Sequence, residues 1–236
     1  MDHLIVKNIS HCYDKTILAL DDISFSVERD ECVCIAGANG SGKSTLLQII
    51  ASCVKPSCGE IIIESEGGAG GNAGIVFQEP DNQLFMPTVW EDVAFSIMKK
   101  SMRPDEAKTR ALAALKSVDA EELSERPPYT LSGGEKQRAA LAGVLIMESE
   151  ILLLDEPTAA LDPRARKNLI ELLKNLRCTK IIASHDLDMA QELAERVIFL
   201  YKGHIAADCP APGLLLDENF LQTIGLELPL GRKNIE

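Results

Sequence analysis

Gly37-Ala38-Asn39-Gly40-Ser41-Gly42-Lys43-Ser44 is the stretch on which the reading of this 236-residue chain turns. It fills the spacing G-x-x-x-x-G-K-S. A continuous apolar run, Cys32–Ala36, leads into it with the length of a buried strand, and a helical pattern leaves it from about Lys43. Glycines here let the backbone curl so that successive N–H groups face one anion, and the helix N-terminus adds its positive end. Lys43 would then neutralise the β- and γ-phosphates of a nucleotide, and the Ser44 hydroxyl would ligate Mg2+. Gly37, Asn39, Gly40, Ser41, Gly42 and Thr45 complete the expected contacts. A structural turn would account for the glycines alone, but not for a lysine and a serine at this spacing between a strand and a helix.

Downstream, at 151–156, four apolar residues end in Asp155-Glu156. A strand buried on both faces would deliver these two carboxylates at its C-terminal edge, where α/β sheets bind ligands. Asp155 suits a Mg2+ ligand, and Glu156 is placed to polarise the water that attacks the γ-phosphate. Taken alone, an acidic pair ending a strand is usually a turn. Beside the phosphate cradle it reads as a site.

Many unrelated nucleotide hydrolases share those two features. Leu131-Ser132-Gly133-Gly134-Glu135-Lys136-Gln137-Arg138 separates this chain from them, with Ser132 lying 88 residues beyond Ser44. Here the sequence resembles the ABC ATPase family, whose signature is LSGGE-Q. The resemblance covers roughly residues 3–225 and implies an α/β, P-loop NTPase fold of the ABC ATPase type. That fold has a mostly parallel core sheet, an antiparallel β-subdomain and an inserted α-helical subdomain. It also implies ATP as the nucleotide and hydrolysis coupled to transmembrane transport. Ser132 and the N–H groups of Gly133 and Gly134 open a helix, so they can hold the γ-phosphate of ATP bound to another copy, with Glu135 in the same set.

Further elements of that family follow in order, each as the resemblance implies. Tyr13 lies where a ring stacks on adenine, and Gln78 would join Mg2+ to the helical subdomain. Ala159-Ala160-Leu161-Asp162 matches the loop that crosses the dimer contact, and His185 the switch histidine that reaches the γ-phosphate. Singly, a tyrosine is more often packing, a histidine at a strand end more often a cap, and a loop glutamine usually faces solvent. The implied mechanism is dimeric: two subunits face head to tail, ATP closes them, and hydrolysis lets them reopen.

The run from Gln78 to Phe95 (QEPDNQLFMPTVWEDVAF) looks like the energy-coupling-factor importers. Within that group, SHDLDMA at 184–190 and GLELP at 225–229 are similar to the ATPase subunits of cobalt and nickel importers. The resemblance implies separate membrane subunits, one coupling and one substrate-binding, and a homodimer or a heterodimer with a paralogous ATPase. The transported solute is then a transition-metal ion (cobalt or nickel) or a vitamin. Asp81 is the candidate to meet arginines on the coupling partner, though an acidic, solvated loop residue would look the same. Two departures stand out. Residues 64–73 are Gly-rich and lack the basic residues common in relatives. The chain stops soon after Leu230, so a longer C-terminal dimerisation subdomain is not expected, and stable dimerisation would need nucleotide or membrane subunits.

Composition bounds these readings. Apolar residues make up 46% and charged residues 25%, as in a soluble globular protein. Twenty-four basic against thirty-six acidic residues leave a net charge of −12, which argues against nucleic acid as a partner. No apolar run reaches the ~18–20 residues of a membrane span, and no signal peptide is evident at the start. The seven cysteines lack paired CxxC spacing and read as reduced, with Cys32 and Cys34 expected as small buried side chains of one strand face. The expected location is therefore peripheral, on the cytoplasmic face of the cell membrane.

Strand patterns at 4–9, 23–27, 61–64, 74–77, 151–154, 180–183 and 197–200, with helices after Pro104 and Pro163 and over 189–194, predict β-α-β alternation. The stretch 67–71 reads as a flexible surface loop. The expected organisation is one ABC ATPase domain over 1–236. Its nucleotide-binding core takes 1–78 and 148–210, the helical insertion 79–147, and a short extension 211–236. A rival reading is a soluble ABC ATPase acting on DNA or ribosomes. The 88-residue spacing leaves no room for a long coiled coil, there is one cassette per chain, and the acidic balance disfavours nucleic acid. A P-loop kinase would lack LSGGE, and a scaffold role would leave Glu156 and His185 without purpose.

Overall fold

Alternation of burial along short apolar runs builds two sheets with one helix between them. The computed structural model describes residues 2–14, 16–65, 70–98, 102–211 and 217–229. Most of the glycine loop expected at 67–71, and much of the C-terminal extension, lie outside those residues. The strands are β1 (Asp2–Tyr13), β2 (Ile17–Glu28), β3 (Cys32–Ala36), β4 (Cys58–Ile63), β5 (Ala73–Val76), β6 (Ile151–Asp155), β7 (Thr179–Ser184), β8 (Arg196–Tyr201) and β9 (His204–Pro210). The helices are α1 (Lys43–Ile50), α2 (Val89–Phe95), α3 (Pro104–Ser117), α4 (Gly133–Leu145), α5 (Pro163–Asn175), α6 (Leu187–Leu193) and α7 (Glu218–Thr223).

One sheet is antiparallel, in the order β2-β1-β4. The other runs β5-β6-β7-β3-β8-β9 and is parallel except for its last pair. This is the ABC ATPase arrangement: a mostly parallel core sheet, an antiparallel three-stranded sheet and a helical portion. The period of two in β6 shows how the core divides. Ile151 and Leu153 face α1 and the antiparallel sheet, while Leu152 and Leu154 face α2 to α5. All four are buried, and each such side chain contributes about 1.5–3 kcal/mol relative to exposure. Cys32 and Cys34 share a face, opposite Val33 and Ile35, and burial pushes the Cys32 thiol up to about 12, so it stays protonated. Among the described residues, no helix is long and apolar enough to cross a membrane.

Helices α2, α3 and α4 pack on one another and share a single apolar cluster with the sheet face. The two sheets are also tied at one end. Buried His3 on β1 hydrogen-bonds Thr179 Oγ1 at 2.6 Å and lies 3.3 Å from Glu150 Oε2.

Several boundaries differ from the sequence reading. β1 and β2 are twelve residues each, because both continue past their buried segments as a long antiparallel ribbon. β5 ends at Val76 rather than Phe77, since the Phe77 N–H donates to Gln83 Oε1 at 2.9 Å and leaves the ladder. α6 begins two residues earlier than expected, capped by Asp186, which accepts from the Met189 N–H. β9 has no counterpart in the sequence reading. It is an edge strand whose residues alternate between exposed and half-buried, a weaker signal than a buried run. Its hairpin turn, Lys202-Gly203, has positive φ at both positions, as a tight two-residue turn requires.

Parallel pairing decides where function can sit. β3, β5, β6 and β7 all end on the same edge, with Ala36 opposite Ser184 and Asp155 opposite Ala183. Their following loops therefore converge.

Candidate nucleotide site

The loop 37–42 leaves β3 and re-enters helix at Lys43 with no side-chain cap on α1, so its first N–H groups stay available to an anion. Gly42 has φ of +109°, and a Cβ there would lie 2.7 Å from the Ala19 carbonyl oxygen. Gly37 is held by proximity instead: a Cβ would meet the Leu200 carbonyl oxygen at 2.5 Å. The β8–β9 turn supports the loop from behind, with the Gly203 N–H donating to the Ser41 carbonyl at 3.0 Å. The Ser41 hydroxyl is buried and has no hydrogen-bond partner.

Lys43 is buried, and its ammonium fills the loop. It donates to the carbonyls of Gly37 at 2.8 Å and Ala38 at 3.3 Å, and lies 3.3 Å from Glu156 Oε1. That last contact is an ion pair by distance without hydrogen-bond alignment, so Oε1 has no hydrogen-bond partner. The other carboxylate oxygen of Glu156 accepts from the Ser184 hydroxyl at 3.0 Å and the His185 N–H at 3.3 Å, and meets His185 Nδ1 at 2.9 Å. Glu156 holds φ of +45°, an uncommon region for a residue with a Cβ. Its neighbour Asp155 accepts from the Ser44 hydroxyl at 3.1 Å. Burial pushes the Asp155 carboxyl up, against the Ser44 hydrogen bond, with Glu156 adding to the rise.

Tyr13 is partly exposed and its hydroxyl is 3.2 Å from Thr45 Oγ1, with the His11 ring packed edge-on at 4.7 Å. Thr45 is thus tied to the tyrosine at the first turn of α1.

Ser132 caps α4 in a reciprocal box. Its hydroxyl accepts from the Glu135 N–H at 3.4 Å, and its N–H donates to Glu135 Oε2 at 2.7 Å. Those bonds, chiefly the Ser132 N–H, hold the Glu135 carboxyl below the usual range, with Arg126 assisting at 2.9 Å. Asp162 is also a cap, accepting from the N–H groups of Arg164 and Ala165 at 2.9 Å. Asp81 is exposed and pairs with Lys136 of α4 at 2.6 Å.

Two cavities result. One of about 880 Å3 is lined by Asn39, Glu156, Ala159, His185 and the segment 225–229. The other, about 190 Å3, is lined by Gln78, Asp81, Gly133, Glu156 and Leu161. Glu156 is common to both. The fold thus brings Lys43 and His185 onto Glu156, and Ser44 onto the neighbouring Asp155. It seats Gln78 and Gly133 beside Glu156, and leaves Ser132 and Glu135 bonded within their own helix start. Three contributors went unread in the sequence. Gln83 pins the 78–83 loop by also donating to the Ile75 carbonyl at 3.1 Å. Ser184 orients Glu156, and Arg166 grips Asp186. Gln83 and Ser184 had a local signal, each lying within a run the resemblance singled out, and Arg166 had none.

A strand–glycine loop–helix unit with a lysine on its carbonyls and an acidic pair at the next strand end defines a nucleotide-hydrolysing protein of the P-loop class. The model of the ABC transporter family matches residues 20–159. The chain belongs to that family and is an ABC-type ATPase. It is 39% identical over 236 residues to an energy-coupling factor transporter ATP-binding protein, EcfA, of Methanothermobacter thermautotrophicus, covering 95% of this chain and 76% of that one. Among solved structures, CbiO1 of Clostridium perfringens, described as part of the ABC transporter complex CbiONQ, superposes with a TM-score of 0.79 at 35% identity, covering 94% of each chain. A dimeric ATP-binding cassette in a post-hydrolysis state, bound to ADP and Pi, superposes with a TM-score of 0.78 at 31% identity, covering 89% of this chain and 99% of that one.

Proposed function

We propose that this chain is the ATP-hydrolysing subunit of an energy-coupling-factor-type ABC importer, working as a dimer peripheral to the cytoplasmic face of the membrane. The observation that carries the reading is the pair of cavities meeting at Glu156, one rimmed by the phosphate loop and the other by the start of α4. Within one chain, Gly133 lines the smaller cavity while Ala38 and Asn39 of the phosphate loop line the larger, which fits a signature that serves ATP held by a second copy.

In this mechanism the ATP phosphates draw the Lys43 ammonium off the Gly37 and Ala38 carbonyls. That move frees Glu156 Oε1 to take a proton from water, while Ser184 and His185 hold the other oxygen. The carboxylate and hydroxyl oxygens of Asp155 and Ser44 form a donor set suited to a hard cation, and with Gln78 they would hold Mg2+, which neutralises phosphate charge when bound. Tyr13 would stack on the adenine. Two cassettes closing on two ATP molecules would move the helical portion, residues 79–147, and with it a membrane coupling subunit held at the 78–98 surface. Exposed Phe85, Phe95 and Met98 on that surface suit a partner helix. The solute would be a transition-metal ion or a vitamin, as the sequence resemblance at 78–95, 184–190 and 225–229 implies, selected by a separate membrane subunit. The likeness to EcfA, named as an energy-coupling factor transporter protein, and to CbiO1, part of a transporter complex, supports the importer class.

Affinity capture of the tagged chain from detergent-solubilised membranes, with mass spectrometry of what co-purifies, tests this reading. A coupling membrane protein together with a small substrate-binding membrane subunit is the expected result. Asp81→Arg should lower that recovery. Capture of ribosomal or DNA-handling proteins without membrane subunits would refute the importer assignment.

A further inference from the structure

We infer that Arg166 is the positioning residue for His185, passing the placement of the 159–162 loop to the histidine that touches Glu156. The inference rests on the proposed role of His185. The His185 side chain is about half exposed, at 52%, so packing does not fix its ring. The residue after it is fixed instead. Arg166 grips the Asp186 carboxylate with two prongs, Nε to Oδ2 at 2.9 Å and Nη2 to Oδ1 at 3.1 Å. Thr158 Oγ1 donates to Oδ2 at 3.3 Å and the Met189 N–H to Oδ1 at 2.9 Å, which leaves the carboxylate four donors and one orientation. The Asp186 N–H then donates to Ser184 Oγ, the same hydroxyl that donates to Glu156. His185 is strung between these two anchored residues.

The other end of the connection is equally short. The Arg166 N–H donates to the Asp162 carbonyl at 2.9 Å, so one turn of α5 separates Arg166 from the loop expected to meet a second copy. A shift of residues 159–162 on dimer closure therefore moves the guanidinium, and the guanidinium moves Asp186. Charge adds a second reason for the arginine. Asp186 and Glu156 both line the larger cavity beside His185. With Arg166 removed, Asp186 becomes an uncompensated anion that competes with Glu156 for the imidazole. A lysine keeps the charge but loses the planar fork.

The test combines turnover with 15N spectra of the four histidine rings, His185 being identified by the signal lost in His185→Ala. Arg166→Ala should lower kcat about 10- to 100-fold with KM for ATP nearly unchanged, as expected for a misplaced catalytic group. It should also move the His185 ring signal from one tautomer toward an average of two. Arg166→Lys should recover part of both effects, and it carries the same readouts should the alanine variant fail to fold. Wild-type kcat in the arginine variants alongside an impaired His185→Ala, or a lost kcat with an unmoved His185 signal, would overturn the inference. If His185→Ala itself turned over normally, the role proposed for His185 would be at fault. That outcome is distinguishable, because the Arg166 variants would then be fully active while the ring signal still moved.

Discussion

At the scale of single residues, Lys43 has two states in the proposed cycle, and the structure holds one of them. Its ammonium sits on two loop carbonyls and beside Glu156, all groups it must leave to meet a phosphate. Lys43→Ala removes the one buried cation of the loop, and losing such a charged partner costs about 2–5 kcal/mol, or ~30-fold or more in Kd. Titration with a fluorescent ATP analogue measures this, and unchanged affinity would contradict the cradle. Lys43, Ser44, Asp155 and Glu156 were legible in the sequence because each sits at a fixed offset from a strand end. Arg166 was not, because its partner Asp186 lies twenty residues away and only the packing of α5 against α6 makes them neighbours. The left-handed backbone of Glu156 was equally hidden. It follows from the 156 N–H donating to the Ala183 carbonyl on β7 at 2.8 Å, a contact that exists only once the sheet is assembled.

At the scale of elements, buried apolar runs announced β3, β6 and β7, while β9 and the long ribbon of β1 and β2 depend on pairing that leaves little local trace. β9 is held by long-range charge as well as by its ladder, with Arg196 forking onto Asp208 at 2.6 Å through both Nε and Nη2. The join between α5 and α6 has a pH signature. Burial pushes the Asp186 carboxyl up, but the Arg166 hydrogen bonds and charge, with the Met189 N–H, outweigh it and hold the group below the ordinary value. A carboxyl lowered on folding contributes stability that is present above its unfolded pKa and is lost as pH falls through its folded one. Arg166→Gln should therefore be less stable than wild type near neutral pH, with the gap closing in acid below the carboxylate range. Urea unfolding followed by circular dichroism reads both values, and a gap independent of pH would contradict the assignment.

At the scale of the whole molecule, the proposed machine takes two chains. The phosphate loop and the start of α4 face separate cavities, and Glu156 stands at both. A second copy, related head to tail, would complete each site by offering its own Ser132 and Gly133 to the nucleotide held here. Motif order in the sequence pointed to the phosphate loop, the acidic pair and the start of α4, but their division between two cavities is a property of the fold alone. The most direct test is light scattering on Glu156→Gln, which keeps the size and most contacts of the side chain but cannot take a proton from water. With ATP and Mg2+ the account predicts tight nucleotide binding, arrested turnover and a particle of twice the mass of one chain, which reverts to one chain with ADP. A variant that hydrolyses ATP at the wild-type rate, or that binds ATP and stays a single chain, would contradict it.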